Sequence, residues 1–373
     1  MNRPGRSNAL ILFVFLVLST IVYAYDFLTD AGDSVGYGKC LGENINAQNQ
    51  SLMILTGTTG YVPGTASTDG GYGQSVSEST GAENDGAFGA SITAGVSGDG
   101  TMLSDVPVNL MDIKGIKNMN LAGNLTDYNI LTTEYYNIDS KTYISKNELN
   151  GEYLAGKDMS IDMSENGYQV LIYHTHASEA FADSDGSIED TIVGTGEYLA
   201  ELLNKRYGIN VYHDTTVYDM AGGTLDRSLA YDYAREGVKK ILEEHPEISV
   251  VIDLHRDGVA DDVHLVTEVN GKPTARIMFL NGISRTREQG NLDYLKNTYI
   301  EDNLAFSLQL FLTARANYGD YMRKLMVKSY RYNLDLRGRS LLVEAGAQTN
   351  TCEEAKNAME PLAAVLYKVL SGE

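Results

Sequence analysis

The sequence predicts an α/β fold: a central, mostly parallel sheet flanked by helices. Two observations predict it. From about residue 165 onward, compact apolar runs rich in β-branched residues alternate with segments of helical periodicity. Two of the helical segments also end on a stop signal, Gly208 and Pro246, before the next strand begins. In such sheets ligands collect beyond the carboxyl ends of the strands.

The elements follow in order. Tyr168–Tyr173 is an uninterrupted apolar run after its first two residues and reads as a buried strand. Thr195–Tyr207 places Leu199, Leu202 and Leu203 on one helical face, with Gly208 positioned to end it. Ile209–Tyr212 is a second short strand, and Leu229–Glu244 a helix stopped at His245-Pro246. Ile248–Leu254 is the clearest strand in the chain. Leu265–Phe279 reads as a hairpin turning at Asn270-Gly271. Glu301–Met326 reads as a helix, Ser340–Val343 as a strand and Glu353–Leu370 as a closing amphipathic helix.

The residues ahead of this unit differ in kind. After a stub at 1–8 bearing Arg3 and Arg6, residues 9–25 are uncharged. As a helix they would reach about 26 Å, at the short end for a membrane span. The positive flank would keep the stub in the cytoplasm and place everything after Tyr25 on the outer side. Val22-Tyr23-Ala24 resembles a signal-peptidase site, but an uncleaved single-pass anchor is the reading adopted. Residues 26–120 are rich in Gly, Ser, Thr and Asn, with no Lys or Arg between Lys39 and Lys114. Such a stretch buries too little apolar surface to offset its ordering entropy, so it reads as a flexible stalk. Residues 121–164 read as an approach segment, and 165–373 as the catalytic domain.

With 50 acidic against 29 basic residues the chain is formally −21, which argues against a nucleic-acid partner. Its two cysteines, Cys40 and Cys352, make no C-x-x-C pair, which excludes a thiolate zinc site or a dithiol redox motif. They are expected to stay unbridged.

Polar residues at the expected strand ends carry the chemistry. His174 and His176 follow the strand ending at Tyr173, His255 follows Leu254, and Glu344 follows Val343. His176-x-x-Glu179 can turn an imidazole and a carboxylate towards one ion, and His255 from a second strand would complete the set. Three protein ligands leave a fourth position for water, the arrangement of catalytic zinc. Glu344 is the candidate that moves the proton. A lone strand-end histidine is more often a hydrogen-bonding residue, and H-x-x-E alone is weak; the coincidence of several strand ends raises the metal reading. His174 stands as an alternative ligand or as support for one, because residues two apart in an extended segment face the same way. Arg256 joins Glu344 as a candidate catalytic residue, and Asp257, like His174, stands as support for a ligand or an alternative one; the two either hold their loop as an ion pair, or orient His255 or bind an acidic peptide stem. His213 and His245 are read as structural, and His264 could line the cleft.

Four blocks occur together: Tyr173–Phe181, Ile252–Gly258, Arg331–Leu336 and Leu342–Thr351. In this order, with Gly271–Phe279 between them, they resemble stage II sporulation protein P over roughly 165–373. The resemblance implies an amidase-like catalytic domain related to zinc-dependent N-acetylmuramoyl-L-alanine amidases. It implies cleavage of the bond between muramic acid and the first L-alanine of the peptidoglycan stem, with some endopeptidase activity, during forespore engulfment. The partners it implies are a membrane-anchored lytic transglycosylase, stage II sporulation protein D, and stage II sporulation protein M. It makes His176 and His255 ligands of Zn2+ and Glu344 the catalytic glutamate. The wider amidase group takes its third ligand from the start of the next helix, where Glu189 or Glu197 would be equivalents; Glu179, inside the matched block, is preferred. Many members of the family carry two hydroxyl residues where this chain has Ala177-Ser178.

Overall fold

The structure is a computed structural model that describes Leu110 and residues 125–372, apart from 165, 221–224 and 228. The stub at 1–8, the anchor at 9–25, nearly all of the stalk and Cys40 lie outside the described residues. Among the described residues no helix is long and apolar enough to cross a membrane. Cys352 is a buried free thiol among the described residues.

In chain order the elements are β1 (Tyr136–Ile138), α1 (Gly151–Gly156), β2 (Val170–Tyr173), α2 (Ile192–Tyr207), β3 (Val211–His213), α3 (Ala230–Glu244) and β4 (Val250–Asp257). Then follow β5 (Val266–Val269), β6 (Lys272–Ala275), β7 (Ile277–Gly282), the short pair β8 (Arg285–Thr286) and β9 (Gly290–Asn291), α4 (Ile300–Tyr318), β10 (Leu325–Lys328), β11 (Arg339–Ala347) and α5 (Cys352–Ser371). The central sheet has the order β1-β10-β7-β11-β4-β2-β3. Every neighbouring pair is parallel except β7 with β11. The sheet is thus two parallel blocks running in opposite directions and meeting at β7 and β11.

Local chemistry accounts for the helix ends. The side chain of Thr191 accepts from the Val193 N–H at the start of α2, and Gly208 closes it in the left-handed region at φ 66°. A capping box between Thr351 and Glu354 starts α5. The strands alternate in which face they bury. Val250, Ile252 and Leu254 join Leu341, Val343 and Ala345 in the main core under α2, α4 and α5. Val251 joins Leu171 and Tyr173 against α3 on the opposite face.

The differences from expectation have physical causes. β4 and β11 run past their expected ends, so His255 and Glu344 lie within strands, paired in register, rather than beyond them. The expected helix Glu301–Met326 stops at Tyr318, where Gly319 takes φ 60°, and Leu325–Lys328 becomes β10. The hairpin turns at Asn270-Gly271 as expected, but its second arm ends at Ala275 and Ile277–Gly282 enters the central sheet as β7. The described part of the expected approach segment, residues 125–164, is more than an approach. β1 forms the edge of the sheet, and Leu131, Tyr135, Tyr136, Leu149 and Leu154 are all buried in the main core.

Removing the residues before 165 would therefore uncover the edge of β10 and the core beneath it. Burial of those five side chains implies a loss of roughly 5 kcal/mol or more. Thermal unfolding of 165–373 beside 121–373 measures it; equal midpoints would show that 121–164 contributes nothing to the folded unit.

Candidate active site

The site forms where the carboxyl ends of β2, β4 and β11 reach one edge of the sheet. Because β7 and β10 run the opposite way, their amino ends arrive at the same edge. That reversal delivers Arg323, just before β10, whose Nη1 lies 2.8 Å from Asp257 Oδ2. Asp253, His255 and Asp257 alternate along β4, so they share the face opposite Leu254. In register with His255 stands Glu344 on β11. Gly346, at φ 65°, follows Glu344 where the β11–β4 pairing shifts; a Cβ there would come within 2.6 Å of Asn350 Oδ1.

His255 is the hub. It is 3% exposed. Its Nδ1 lies 3.5 Å from Glu179 Oε2 and its Nε2 2.8 Å from Asp253 Oδ1. The ring of His176 stands edge-on to it, centroids 5.3 Å apart. Glu179 also accepts a 3.0 Å hydrogen bond from the Arg256 N–H, and its Oε1 lies 3.5 Å from Arg227 Nη1. Although burial opposes it, these neighbours hold the Glu179 carboxyl well below its ordinary range. Burial likewise works against a charged His255, yet Asp253 and Glu179 raise its pKa well above the usual histidine value. Burial lowers His176 to about 4, with His255 and Arg227 adding to the effect.

Glu344 behaves in the opposite sense. Burial, followed by the nearby Asp257 carboxylate, raises its pKa to about 8. Its Oε2 is shut off from solvent without a hydrogen-bond partner.

The predicted residues separate into groups. His176, Glu179, His255, Asp257 and Glu344 come together. Glu189 is exposed on the turn before α2, and Glu197 is engaged with His213 Nδ1 at 2.8 Å, so of the three candidate glutamates only Glu179 meets His255. His174 does not share a direction with His176, because the chain leaves the strand at Tyr173. It is buried beneath α2, with Nδ1 donating to the Leu254 carbonyl and Nε2 2.9 Å from His213 Nε2. Gly196 makes room for that pair, since a Cβ there would lie 2.6 Å from the His174 ring. Arg256 spends its guanidinium on the backbone carbonyls of Ala180 and Asp257, bracing the loop after β2 rather than pairing with Asp257's carboxylate. His264 pairs with Glu354 at the start of α5 instead of lining the site.

Sequence reading missed Asp253, Asp219, Arg227, Arg323 and Tyr231. The Tyr231 ring lies parallel to His255 at 6.4 Å and edge-on to His176 at 5.7 Å. The Arg331–Leu336 block explains its placement. Arg235 makes two 2.7 Å bonds to Asp335, and Asn333 Nδ2 donates to the Tyr231 carbonyl. Tyr332 and Asn333 adopt φ values of 51° and 54°, a costly conformation for residues other than glycine, and Tyr332 packs edge-on against Tyr231. The one available signal was Asp253-Leu-His255-Arg-Asp257: charged residues at alternate positions inside an apolar strand must share a face.

Two imidazoles and a carboxylate, His255 and Glu179 buried and His176 nearly so, are the donor types of a divalent-metal site. Ring nitrogens His176 Nδ1 and His255 Nε2 lack aligned hydrogen-bond partners, and each lies beside an aspartate rather than in the space the two rings share with Glu179. As they stand, no three His, Cys, Asp or Glu side chains among the described residues converge tightly enough to hold an ion. The fit is therefore one of donor chemistry and of charge: a pocket that stabilises imidazolium between two carboxylates suits a cation.

Fold and site together define an α/β protein with a buried histidine–carboxylate cluster at the junction of two parallel strand blocks. The chain belongs to the family described as Stage II sporulation protein P (SpoIIP), whose profile matches residues 112–367, beginning well before the 165 expected. It is 25% identical over 215 residues to stage II sporulation protein P of Bacillus subtilis (strain 168). That match covers 54% of this chain and 50% of that protein, so the chain spans about half the length of its curated relative. Among solved structures, an N-acetylmuramoyl-L-alanine amidase of Clostridium difficile 630 is 17% identical, covering 54% of this chain and 96% of that one at a TM-score of 0.29. The amidase Ami1 of Mycobacterium abscessus is 13% identical, covering 54% and 97% at a TM-score of 0.34. Superpositions this shallow carry no argument about this chain.

The shift at Glu344 has a consequence for stability. The folded state keeps a proton there up to about pH 8, while an unfolded chain releases it near its ordinary 4.5. In the chelator-treated chain its contribution to stability is full below about pH 4.5, declines across that interval and is lost above about pH 8. Glu344→Gln should flatten the fall in denaturation midpoint between those limits; an unchanged slope would remove Glu344 as its source.

Proposed function

We propose that this chain is a zinc-dependent peptidoglycan hydrolase, cleaving the amide between N-acetylmuramic acid and the L-alanine of the stem during forespore engulfment. One observation carries the reading: within a stage II sporulation protein P family member, His255 and Glu344 stand in register on adjacent strands, with Glu179 and His176 against the same imidazole. His176, Glu179 and His255 would hold the zinc, which supplies a polarised water at neutral pH. Glu344 takes the proton from the attacking water and returns it to the leaving nitrogen. Without a cation that carboxyl is held protonated by burial and Asp257, and the charge of a bound ion would lower its pKa and free it to accept. Asp257 and Arg323 set the field in which it does so. Tyr231 walls the histidines on one side.

The same reading places the domain on the wall-facing side of the cytoplasmic membrane, tethered through residues 9–25. Stage II sporulation proteins D and M would be its partners there. Endopeptidase cleavage of stem cross-links uses identical metal chemistry and is the second reading. A non-catalytic exported scaffold is the third, and it gives no reason to bury Glu344 beside His255.

Digestion of purified peptidoglycan by the full chain in detergent, with and without a zinc chelator, tests the proposal by mass spectrometry. Free stems with an L-alanine amino terminus, lost on chelation, are expected; cross-link fragments alone would favour the endopeptidase. Glu344→Ala should retain zinc and lose turnover by about 10²–10⁴-fold, whereas His255→Ala loses both. Hydrolysis by a zinc-loaded Glu344→Ala chain at the wild-type rate would sink the role given to that residue.

A further inference from the structure

Each candidate ligand imidazole has a buried aspartate beside one ring nitrogen. His255 Nε2 lies 2.8 Å from Asp253 Oδ1, and His176 Nδ1 lies 4.0 Å from Asp219 Oδ2. Both aspartate side chains are fully shielded from solvent. Neither nitrogen has an aligned hydrogen-bond partner, and Asp219 Oδ1 has none either. The aspartates are held from elsewhere. The Thr175 N–H and hydroxyl donate to the two oxygens of Asp253 at 2.9 and 2.7 Å. The Ser178 N–H and hydroxyl both donate to Asp219 Oδ2. One short segment, Thr175-His176-Ala177-Ser178, therefore carries a candidate ligand and grips both aspartates.

A metal-binding histidine uses one nitrogen for the ion and donates the other N–H to a carboxylate or carbonyl, which fixes its tautomer and ring orientation. We propose, resting on the metal reading above, that Asp219 and Asp253 are the positioning residues of this site. Standing beside those nitrogens without an aligned bond as yet, they would accept the N–H at His176 Nδ1 and at His255 Nε2 when an ion orients the rings. His176 then presents Nε2 and His255 presents Nδ1, beside Glu179, to a divalent cation: the two histidines use opposite nitrogens. Asp219 keeps Oδ1 available for the His176 N–H. Ser178 supplies the hydroxyl that this arrangement requires, which explains how Ala177 can lack one.

The test is metal binding rather than turnover. The full chain in detergent is stripped with chelator, then titrated with Zn2+ against a chromophoric chelator and with Co2+ by its visible spectrum. Wild type should bind one ion. Asp219→Asn and Asp253→Asn, which preserve shape, should each weaken Zn2+ by about 10- to 100-fold, whatever the shift in the unfolding midpoint of the stripped chain; a merely structural aspartate would move that midpoint and leave affinity alone. Nδ1-methylhistidine placed at 176 should retain the cobalt spectrum, and at 255 should abolish it. Unchanged affinity in both asparagine variants, or a retained cobalt spectrum with the methylated residue at 255, overturns the assignment. A wild-type chain that binds no ion overturns the metal reading itself, and the inference with it.

Discussion

A buried strand that carries charge must be answered by its surroundings, and β4 sets that demand for the whole site. Asp253, His255 and Asp257 occupy one face of the strand, each less than a tenth exposed. Every one has an answering group from another segment: Thr175 for Asp253, Glu179 for His255, Arg323 for Asp257. Removing a single partner from such a set leaves a buried charge uncompensated, at about 3–5 kcal/mol. The loop after β2 and the segment before β10 are therefore fixed in place by electrostatics as much as by packing. The backbone N–H of Arg256 adds a further tie, holding Glu179 against the strand that bears His255.

Much of the fold was legible because it rests on short-range patterns. Uninterrupted apolar runs marked β2, β4 and β11, and Asn270-Gly271 marked its hairpin. The left half of the sheet was not legible for a different reason in each case. Ile277–Gly282 follows so closely on the hairpin that it reads as part of it. Leu325–Lys328 is too short to announce itself beside a long helix, although Gly319 was available as a stop signal. β1 has only one fully buried residue, Tyr136, in a segment of mixed composition.

The candidate site divides along the same line. His176, His255 and Glu344 stood out because polar residues close apolar runs, and Glu179 because it lies three residues from His176. Asp219, Arg227, Arg323 and Tyr231 reach the site only through topology, and nothing local distinguishes them from other surface residues. Arg323 depends on the reversal between β7 and β11. Tyr231 depends on the unusual backbone at Tyr332 and Asn333, which a sequence pattern does not display. His174 misled for a related reason: strand alternation was extended as far as His176, three residues beyond the strand, and the chain had already turned beneath α2.

The register that sets His255 beside Glu344 has a kinetic side. These partners are far apart along the chain, and their strands pair only after the intervening hairpin, β7, α4 and β10 have been accommodated. Contacts of such long range are among the last to be rewarded during folding, because the loop between them must be closed first. His176 joins from still further away, and Arg323 arrives only when the reversed block has docked. A partly folded chain thus holds helices and local turns but no assembled cluster. Assembly of the cluster is thus coupled to completion of the sheet.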